Sequence, residues 1–370
     1  MTNIYRNKPS AGLKYVWYIL CAPLILGSCS IGAFSSSHLT NKNSAASREQ
    51  ELFIEKLLNS QTDQDIQMER WYKEQGIIGT SHISLCTSDE SVGGRGLFYV
   101  NYDIAEEGDI IALIPSRYVI APSNARDAYP VLAAAMEESE ISWQAKLTTY
   151  ICSCLEENDD SKENCSSDDR SIQWKNLVNS WSGGGPSAAI SSSEYSLDEL
   201  QELADSVGCS LDVVREAIDT RYDCFTLDWN TVKQFNTRGK LDFGDLYSIV
   251  VSRVASLGPE WHNQGGIIPL HDMSNHPPYH RDSNMDLLCI GDVRKMIGDD
   301  DFSILIQALF VEDDNDNDNI HLSDDDVLLV ASKNIHPGEE LWLKYTDGHD
   351  MMDDNEKLLL MLQYGFPFHT

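Results

Sequence analysis

The fold of this chain is decided by the stretch Gly265-Gly266-Ile267-Ile268-Pro269-Leu270-His271-Asp272-Met273-Ser274-Asn275-His276, in which an apolar run leads into a polar Asp-x-x-Asn-His segment. A single Asn-His pair after a strand is usually a capping and packing feature. Two other short segments give it meaning by their order along the chain, namely Gly93-Gly94-Arg95-Gly96-Leu97 before it and Tyr345 with Tyr364-Gly365-Phe366 after it. Their joint order carries more weight than any one of them.

The glycine segment at 93–97 lies between an extended approach and a strand. Glycines there let main-chain groups approach a ligand without a side-chain clash. The segment lacks the Gly-x-Gly-x-x-Gly pattern of a dinucleotide fold, and no Lys-Ser/Thr pair follows it as in a phosphate-binding loop. An ordinary hairpin turn and a ligand-facing turn both stay open at this point.

The charge of the chain opposes nucleic-acid binding. It has 27 basic and 59 acidic residues in 370, a formal net charge of -32, whereas phosphate-backbone binding depends on clustered Lys and Arg. The acidic residues gather in runs at 156–169, 299–301, 312–326 and 347–354. Such runs are usually solvated loops, and the alternative is electrostatic steering of a basic protein substrate.

The N-terminal residues 1–34 are expected to form a signal peptide or a membrane anchor. Residues 15–34 carry no charge and follow Arg6, Lys8 and Lys14, and the uncharged length is just enough to span a bilayer. We therefore expect the chain to enter the secretory pathway: the ER lumen, a membrane-anchored state, or a plastid reached through the ER in an alga. Residues 35–67 are expected to form a linker and an N-terminal helix.

No metal site is predicted. The chain has nine cysteines but no Cys-x-x-Cys spacing, which argues against zinc. The Asp-rich stretch 313–325 imitates part of a calcium loop, yet Asp318 or Asn319 stands where glycine is required. Its flanks, 302–311 and 327–331, are apolar runs typical of strands and not of the helices of an EF-hand, so we expect an acidic hairpin insert.

The apolar pattern predicts short strands on either side of a helical middle. A helix is expected over 49–71, with Leu52, Leu57 and Leu58 on one side. Strands at 97–100 and 109–114 are joined through a tight reversal at Gly108, and strands at 327–331 and 339–345 are joined by the turn 334–338. This order implies that the two strand halves meet in space.

The middle, residues 121–259, is predicted to be a helical insert. Ser196 and Glu199 form a capping box for a helix that ends at Gly208, and Ser210 begins the next one. A third helix is predicted over 243–257. Arg253 falls in its apolar stripe, where a charge is costly to bury unless it is paired, so a structural salt bridge and an anionic ligand both remain possible explanations.

Taken together, residues 68–366 resemble the SET-domain methyltransferases of the Rubisco large-subunit class. The fold that this implies is α+β: small β-sheets, a knot-like C-terminal core and a helical insert between the two strand halves. The matching positions are Trp71 with Gly76, Gly94 to Leu97, Asp103-Ile104, Ile114-Pro115, Ser252-Arg253, Pro269-Leu270, Asp272, Asn275-His276, Gly338 to Leu341, Tyr345 and Tyr364-Gly365-Phe366.

The resemblance implies S-adenosylmethionine as the methyl donor and Tyr345 as the catalytic tyrosine. The residues it implies for binding the cofactor are Gly94, Arg95, Gly96, Leu97, Asn275 and His276, with Arg253 near the cofactor carboxylate. Those it implies for the substrate channel are Asp272, Tyr364 and Phe366. A tyrosine hydroxyl can hold an electron-poor methyl group through C-H···O contacts, and an apolar channel would lower the pKa of a lysine so that it loses its proton.

Two departures from the class limit what is carried over. Thr346 follows Tyr345 where glycine is usual, and the nearest asparagine downstream is Asn355. Large members of the class also continue into a helical substrate-docking lobe beyond the point where this sequence ends. We expect a protein methyltransferase acting on lysine or histidine of a basic protein. The alternatives are a catalytically inactive SET-fold interaction module and an acidic binding protein of the secretory system.

Overall fold

The computed structural model describes residues 45–88, 95–137, 141–156, 170–179, 181, 186–236, 238–256, 265–275, 277, 282–298, 302–303, 322–343, 358 and 361–363. The predicted leader or anchor at 1–34 lies outside them, as does most of the Asp-rich stretch, so both stay predictions. Within the described ranges, no helix combines the length and the apolarity that crossing a membrane requires. The division of the chain into a leader, a linker and one large domain also stays a prediction.

The single helix predicted over 49–71 is in fact two helices, α1 (Ala45–Leu58) and α2 (Asp63–Glu74). Thr62 breaks the run because its hydroxyl accepts from the N–H of Asp65 while the Asp65 carboxylate accepts from the N–H of Thr62. The predicted apolar face was also wrong. Leu52 and Leu58 are exposed, and Ile54 is the buried residue of α1.

The strands form small antiparallel sheets. Strand β1 (Ile83–Thr87) pairs with β2 (Arg95–Tyr99). A second sheet has the order β3-β7-β6, which places β7 (Val327–Ala331) between β3 (Ile110–Ile114) and β6 (Met285–Cys289). The early and late parts of the chain therefore meet in one sheet, which confirms the prediction from the split strand pattern.

The local strand pairings that the sequence suggested are wrong. The strand after Gly108 pairs with β7 and not with the strand before it. The two reversals pair with each other instead, since Ala105 and Ile335 exchange both main-chain hydrogen bonds, at 3.0 and 2.8 Å. Strand β3 thus pairs with β7, a strand far along the chain, and a local hairpin with β2 would not provide that partner.

Residues 339–343, which we call the crossing segment, lie extended without forming a regular strand. They make isolated bridges, pairing Glu340 with Phe98, Trp342 with Asn275 and Leu343 with Met285. The strand predicted over 339–345 is thus present as an extended segment up to Leu343. It touches three separate parts of the chain.

The middle of the chain is helical, as predicted. Its helices are α3 (Pro122–Ala128), α4 (Pro130–Glu137), α5 (Trp143–Glu156), α6 (Arg170–Asn179), α7 (Leu197–Val207), α8 (Leu211–Val232) and α9 (Lys240–Arg253). The Ser196 capping box, the left-handed Gly208 after α7 and the Ser210 cap of α8 are confirmed. Apart from α7, these helices share one large hydrophobic core with residues between Met68 and Ala121 and between Val327 and Leu343. Helix α7 packs in a separate cluster with the first half of α8 and with Leu358, Met361 and Leu362.

Helix α9 ends four residues earlier than predicted. After Arg253 the chain becomes strand β4 (Val254–Ser256), which pairs with β5 (Gly265–Ile267). Pairing with β5 satisfies the main chain in a way that sequence periodicity alone does not reveal. Arg253 therefore lies at the junction between the helical insert and the strands that lead to Asp272.

The strand predicted over 302–311 is also not observed where it can be checked. Helix α10 (Ile290–Ile297) follows β6, and Phe302 and Ser303 have helical backbone. The Phe302 N–H donates to Gly298 O, and its ring is buried in a small cluster with Ile290 and Val293. The other residues of that prediction lie outside the described residues.

Candidate functional site

Asn275 joins three segments that are far apart in the sequence. Its Nδ2 donates to the main-chain carbonyl of Arg95 and to Oε1 of Glu340, both at 2.7 Å. Its own carbonyl accepts from the N–H of Leu343 at 3.0 Å. One side chain thus connects β2, the segment after β5 and the crossing segment, which are far apart in sequence.

Gly96 makes this convergence possible. A Cβ at this position would lie 2.1 Å from Glu340 Oε1 and 3.0 Å from Asn275 Nδ2. No side chain fits at those distances, so the close approach depends on the glycine. Beside it, the Leu97 carbonyl accepts from the N–H of Leu341 at 2.7 Å, which fixes β2 against the crossing segment.

Glu340 is a site residue that the sequence interpretation missed. It is buried, and its Oε2 accepts from the Ser88 hydroxyl at 2.6 Å while Oε1 accepts from Asn275. Burying a carboxylate is costly unless donors surround it, and here two side chains supply them. The one signal in the sequence was an acidic residue directly before the apolar pair Leu341 and Trp342.

Asn284 holds the crossing segment from the other side. Its Nδ2 donates to the Glu340 carbonyl at 2.8 Å, and its Oδ1 accepts from the N–H of Trp342 at 2.7 Å. The N–H of Asn284 donates to the Trp342 carbonyl at 3.1 Å. Sequence reasoning also missed this residue, because an asparagine before a strand is a common turn residue.

The Arg95 side chain points to α2 and forms an ion pair with Asp65. Nη1 lies 2.9 Å from Asp65 Oδ1, and the side chain of Asp65 is 1% exposed. Asp65 is the same residue that caps α2 through Thr62. The part of Arg95 that faces Asn275 is accordingly its main-chain carbonyl.

The structure brings Arg253 and Asp272 together. Arg253 Nη1 donates to the Asp272 main-chain carbonyl at 2.7 Å, and the Trp181 indole N–H donates to Asp272 Oδ2 at 2.8 Å. The guanidinium also lies 5.6 Å from the centre of the Trp181 ring. Trp181 is a further residue that the sequence interpretation did not single out.

The backbone just before Asp272 is strained. Leu270 has φ 71° and ψ -53°, the only positive φ of a non-glycine residue among the described residues. Such conformations cost of order 1–3 kcal/mol and tend to persist at functional sites, where the surrounding structure holds them. Hydrogen bonds of Asp272 N to Ile268 O and of Met273 N to Leu270 O hold this one.

Burial shifts the pKa values of two neighbouring side chains in opposite directions. It raises the pKa of Asp272 to about 6, although the nearby Arg253 favours the carboxylate. It lowers the pKa of His271 to about 4. The Tyr72 hydroxyl, which faces the Leu270 carbonyl, has its pKa raised by burial and by the charge of Asp272. At neutral pH the site thus contains an ionised Asp272, a neutral His271 and a neutral Tyr72.

These shifts predict how stability depends on pH. Asp272 keeps its proton in the folded state up to about pH 6, so its contribution to the free energy of unfolding falls between pH 4 and 6. His271 resists protonation in the folded state, so its contribution rises between pH 4 and 6.5. We expect Asp272→Asn to make the free energy of unfolding rise more steeply with pH than in the wild type, by up to about 1.4 kcal/mol per pH unit.

Urea unfolding of both proteins between pH 4 and 7 measures this difference. The substitution also changes stability by an amount that does not vary with pH. That amount does not affect the slope of the free energy of unfolding against pH, so the slopes of the two proteins can be compared directly. His271→Gln serves as the opposite control and is expected to make the slope less positive than in the wild type. Parallel curves for the wild type and Asp272→Asn would show that Asp272 titrates normally.

Three buried polar atoms of the candidate site residues and the crossing segment have no hydrogen-bond partner among the described residues: His271 Nδ1, Asp272 Oδ1 and Trp342 Nε1. Buried polar groups are nearly always hydrogen-bonded. In the described part of the chain, no group of three or more His, Cys, Asp or Glu residues could hold a metal ion.

Several predicted site residues lie outside the described residues: Gly94, His276, Tyr345, Tyr364 and Phe366. Their neighbours are described. Leu343, two residues before Tyr345, is bonded to Asn275. Gln363, directly before Tyr364, donates from Nε2 to the Val251 carbonyl of α9 at 3.1 Å. The roles of these five residues stay predictions.

No protein-family model matches the sequence, and no curated protein is significantly similar to it. Solved structures do match the fold. The SET domain of LSMT bound to lysine and AdoHcy aligns with a TM-score of 0.52 at 15% identity, over 82% of this chain and 57% of that one. Rubisco LSMT bound to sinefungin and monomethyllysine gives 0.52 at 14% identity, over 83% and 57%.

A third structure, Rubisco LSMT bound to AdoMet, aligns with a TM-score of 0.50 at 14% identity, over 83% of this chain and 57% of that one. The chain therefore has the SET fold, which confirms the α+β class and the fold that the sequence resemblance implied. It spans 57% of the length of these solved chains.

Proposed function

We propose that this chain is an S-adenosylmethionine-dependent protein methyltransferase that transfers a methyl group to a lysine or histidine side chain of a protein. The observation that carries the proposal is the convergence at Asn275, which ties Arg95 and Glu340 together through one amide group. The SET fold supports it, as does the cofactor or its analogue in the matched solved structures. Chance matches at Arg95 and Asn275, which are 180 residues apart, would not be expected to share a hydrogen bond.

The residues present fit the proposed cofactor. The absence of a side chain at Gly96 lets Glu340 and Asn275 pack directly against β2, which holds in place the main chain proposed to contact the cofactor. The buried Asp272 Oδ1, His271 Nδ1 and Trp342 Nε1 still lack partners among the described residues. S-adenosylmethionine has amine, carboxylate, hydroxyl and adenine groups that can bond such atoms.

When bound, S-adenosylmethionine would supply an electron-poor methyl group on a sulfonium. The residues proposed to hold it are Gly94, Arg95, Gly96, Leu97, Asn275 and His276, with Arg253 close to its carboxylate. Asn275 would act by fixing the walls of the site, because its amide is already engaged with β2 and Glu340. Fixed walls lower the entropic cost of aligning two reactants.

The proposed acceptor channel involves Asp272, Tyr364 and Phe366, with Tyr345 as the catalytic tyrosine. Arg253 and Trp181 fix Asp272. A lysine must lose its proton before it can accept a methyl group, and burial among apolar side chains lowers its pKa. The Tyr345 hydroxyl is proposed to hold the methyl group through C-H···O contacts.

A basic protein is the proposed substrate, since the net charge of -32 favours a partner of opposite sign. We further propose that the chain enters the secretory pathway, as the uncharged segment at 15–34 indicates. The salt dependence of the reaction rate measures the first point. A rate that does not fall with rising salt would argue against electrostatic steering.

The proposed activity is tested by incubating the purified chain with methyl-labelled S-adenosylmethionine and a cell extract of its source. We expect label on protein, and mass spectrometry of the labelled band identifies the acceptor residue. If the cofactor binds but no protein is labelled, the catalytically inactive interaction module is the better explanation. If the cofactor does not bind either, the methyltransferase proposal fails.

Replacing Tyr345 with phenylalanine is expected to lower the rate of label transfer at least about tenfold, because the change removes only the hydroxyl that contacts the methyl group. Cofactor affinity should change little. Tyr102→Phe is the matched control, since Tyr102 is 63% exposed and should keep the wild-type rate. Full activity in Tyr345→Phe would remove the catalytic assignment.

A further inference from the structure

Helix α8 carries an arginine in the middle of its buried stripe. The buried residues of this helix recur at intervals of three, four or seven, which is the spacing of a helix face packed on a core. They are Val214, Ile218, Arg221, Phe225 and Val232. Four of the five are apolar, and Arg221 is only 5% exposed. A helix face of this kind does not require a guanidinium.

Arg221 makes one hydrogen bond within the described protein. Its Nη2 donates to the Ser248 hydroxyl of α9 at 2.8 Å. That hydroxyl donates in turn to the Gly244 carbonyl and accepts from the N–H of Ala188, both at 2.9 Å. Ser248 is therefore saturated and rigidly placed, whereas the guanidinium has five N–H donors.

No carboxylate among the described residues forms an ion pair with Arg221. Its electrostatic neighbours are the phenol groups of Tyr247 and Tyr195, and burial lowers the pKa of the guanidinium to about 10. The chain has 59 acidic residues, so its composition offers many carboxylates that could pair with an arginine. A buried cation with no counter-charge among the described residues is costly unless a ligand supplies one.

We propose that Arg221, buried and held by Ser248, forms a binding site for a small oxyanion, a phosphate or a carboxylate. The guanidinium presents parallel N–H groups that match two oxygens of such an anion, and phenol hydroxyls can donate to a third. The hydrogen bond to Ser248 fixes the Arg221 guanidinium before the anion binds, which lowers the entropic cost of binding. The site does not depend on the proposed methyl transfer.

The position of the site connects it to the rest of the insert. Arg221 lies on α8, and Tyr247 and Ser248 lie on α9. Tyr195 directly follows the short 3-10 helix 192–194. An anion bound here would hold α8, α9 and the segment before α7 together. Helix α9 ends at Arg253, so the site borders the same helix that carries a residue of the candidate methyl-transfer site.

The proposal is tested by thermal unfolding of the full chain in sodium phosphate, sodium acetate and sodium chloride at equal ionic strength. An anion that binds only the folded state raises the unfolding temperature as its concentration rises. We expect a rise of roughly 2 °C or more in tens of millimolar phosphate or acetate over chloride. The larger of the two rises identifies phosphate or carboxylate as the preferred anion.

Arg221→Met is expected to lose this dependence on the anion. Its unfolding temperature in chloride should be at least that of the wild type, because an apolar side chain of similar size removes the uncompensated charge. Arg215→Met is the matched control: Arg215 is on the same helix, its side chain is 44% exposed, and it should keep the anion response. An equal response in Arg221→Met and the wild type would overturn the proposal.

A second measurement covers the case in which Arg221→Met fails to fold. Phosphate titrated into the wild-type chain, observed by ³¹P NMR line broadening, should show saturable binding that added acetate competes away. Linear, non-saturating broadening would overturn the site. A destabilised Arg221→Met without any anion response in the wild type would make Arg221 a structural residue only.

Discussion

Replacing Asn275 with alanine is expected to abolish measurable binding of S-adenosylmethionine and to lower the free energy of unfolding by about 3 kcal/mol. The change removes the two donors at 2.7 Å to the Arg95 carbonyl and to Glu340. Glu340 would keep a buried carboxylate with one of its donors lost. Calorimetric titration of the cofactor and urea unfolding measure the two effects.

The matched control for this prediction is Asn124→Ala. Asn124 likewise donates twice from Nδ2, in its case to the main-chain carbonyls of Ser116 and Val119, at 2.8 and 2.9 Å. Asn124→Ala also leaves two acceptors without their donor, so it should lower the free energy of unfolding while leaving cofactor affinity unchanged. If both variants lose the cofactor equally, the effect of Asn275 is general destabilisation and not a property of the site.

Replacing Gly96 with alanine is expected to have the second large effect. The new Cβ would lie 2.1 Å from Glu340 Oε1 and 2.7 Å from its carboxyl carbon. The carboxylate cannot simply turn away, because Asn275 and Ser88 hold both of its oxygens. We expect stability to fall by roughly 1–3 kcal/mol or more and cofactor binding to fall at least about tenfold.

Gly239→Ala is the control for the same chemical change. A Cβ at Gly239 would meet only Asp242 Oδ2, at 3.8 Å, and its φ of -68° suits any residue. Urea unfolding should show a change within about 0.5 kcal/mol. Equal effects of the two glycine substitutions would mean that the contact between β2 and the crossing segment is loose.

The sequence was informative where local chemistry decides structure. Ser196 and Gly208 bound a helix because their capping preferences are intrinsic to the residues, and both ends are as predicted. The order of the Arg95 and Asn275 segments also predicted that they lie together, and the Asn275 amide does donate to the Arg95 carbonyl. In both cases the signal lies in a few residues and does not depend on the rest of the chain.

The rest depended on contacts between distant residues. Strand β3 pairs with β7, more than two hundred residues away, and a local turn gives no sign of such a partner. Helix α9 ends at Arg253 because the next residues pair with β5. Glu340 has a role only through Asn275 and Ser88, so its place in the site became visible only when the three residues met.

The most direct test of the central claim is calorimetric titration of S-adenosylmethionine into the full wild-type chain. We predict saturable binding with one cofactor per chain, and competition by S-adenosylhomocysteine at the same site. Asn124→Ala should bind as the wild type does, and Asn275→Ala should show no heat of binding. A wild-type chain that unfolds cooperatively, as a folded protein does, yet shows no binding of either molecule would contradict the account.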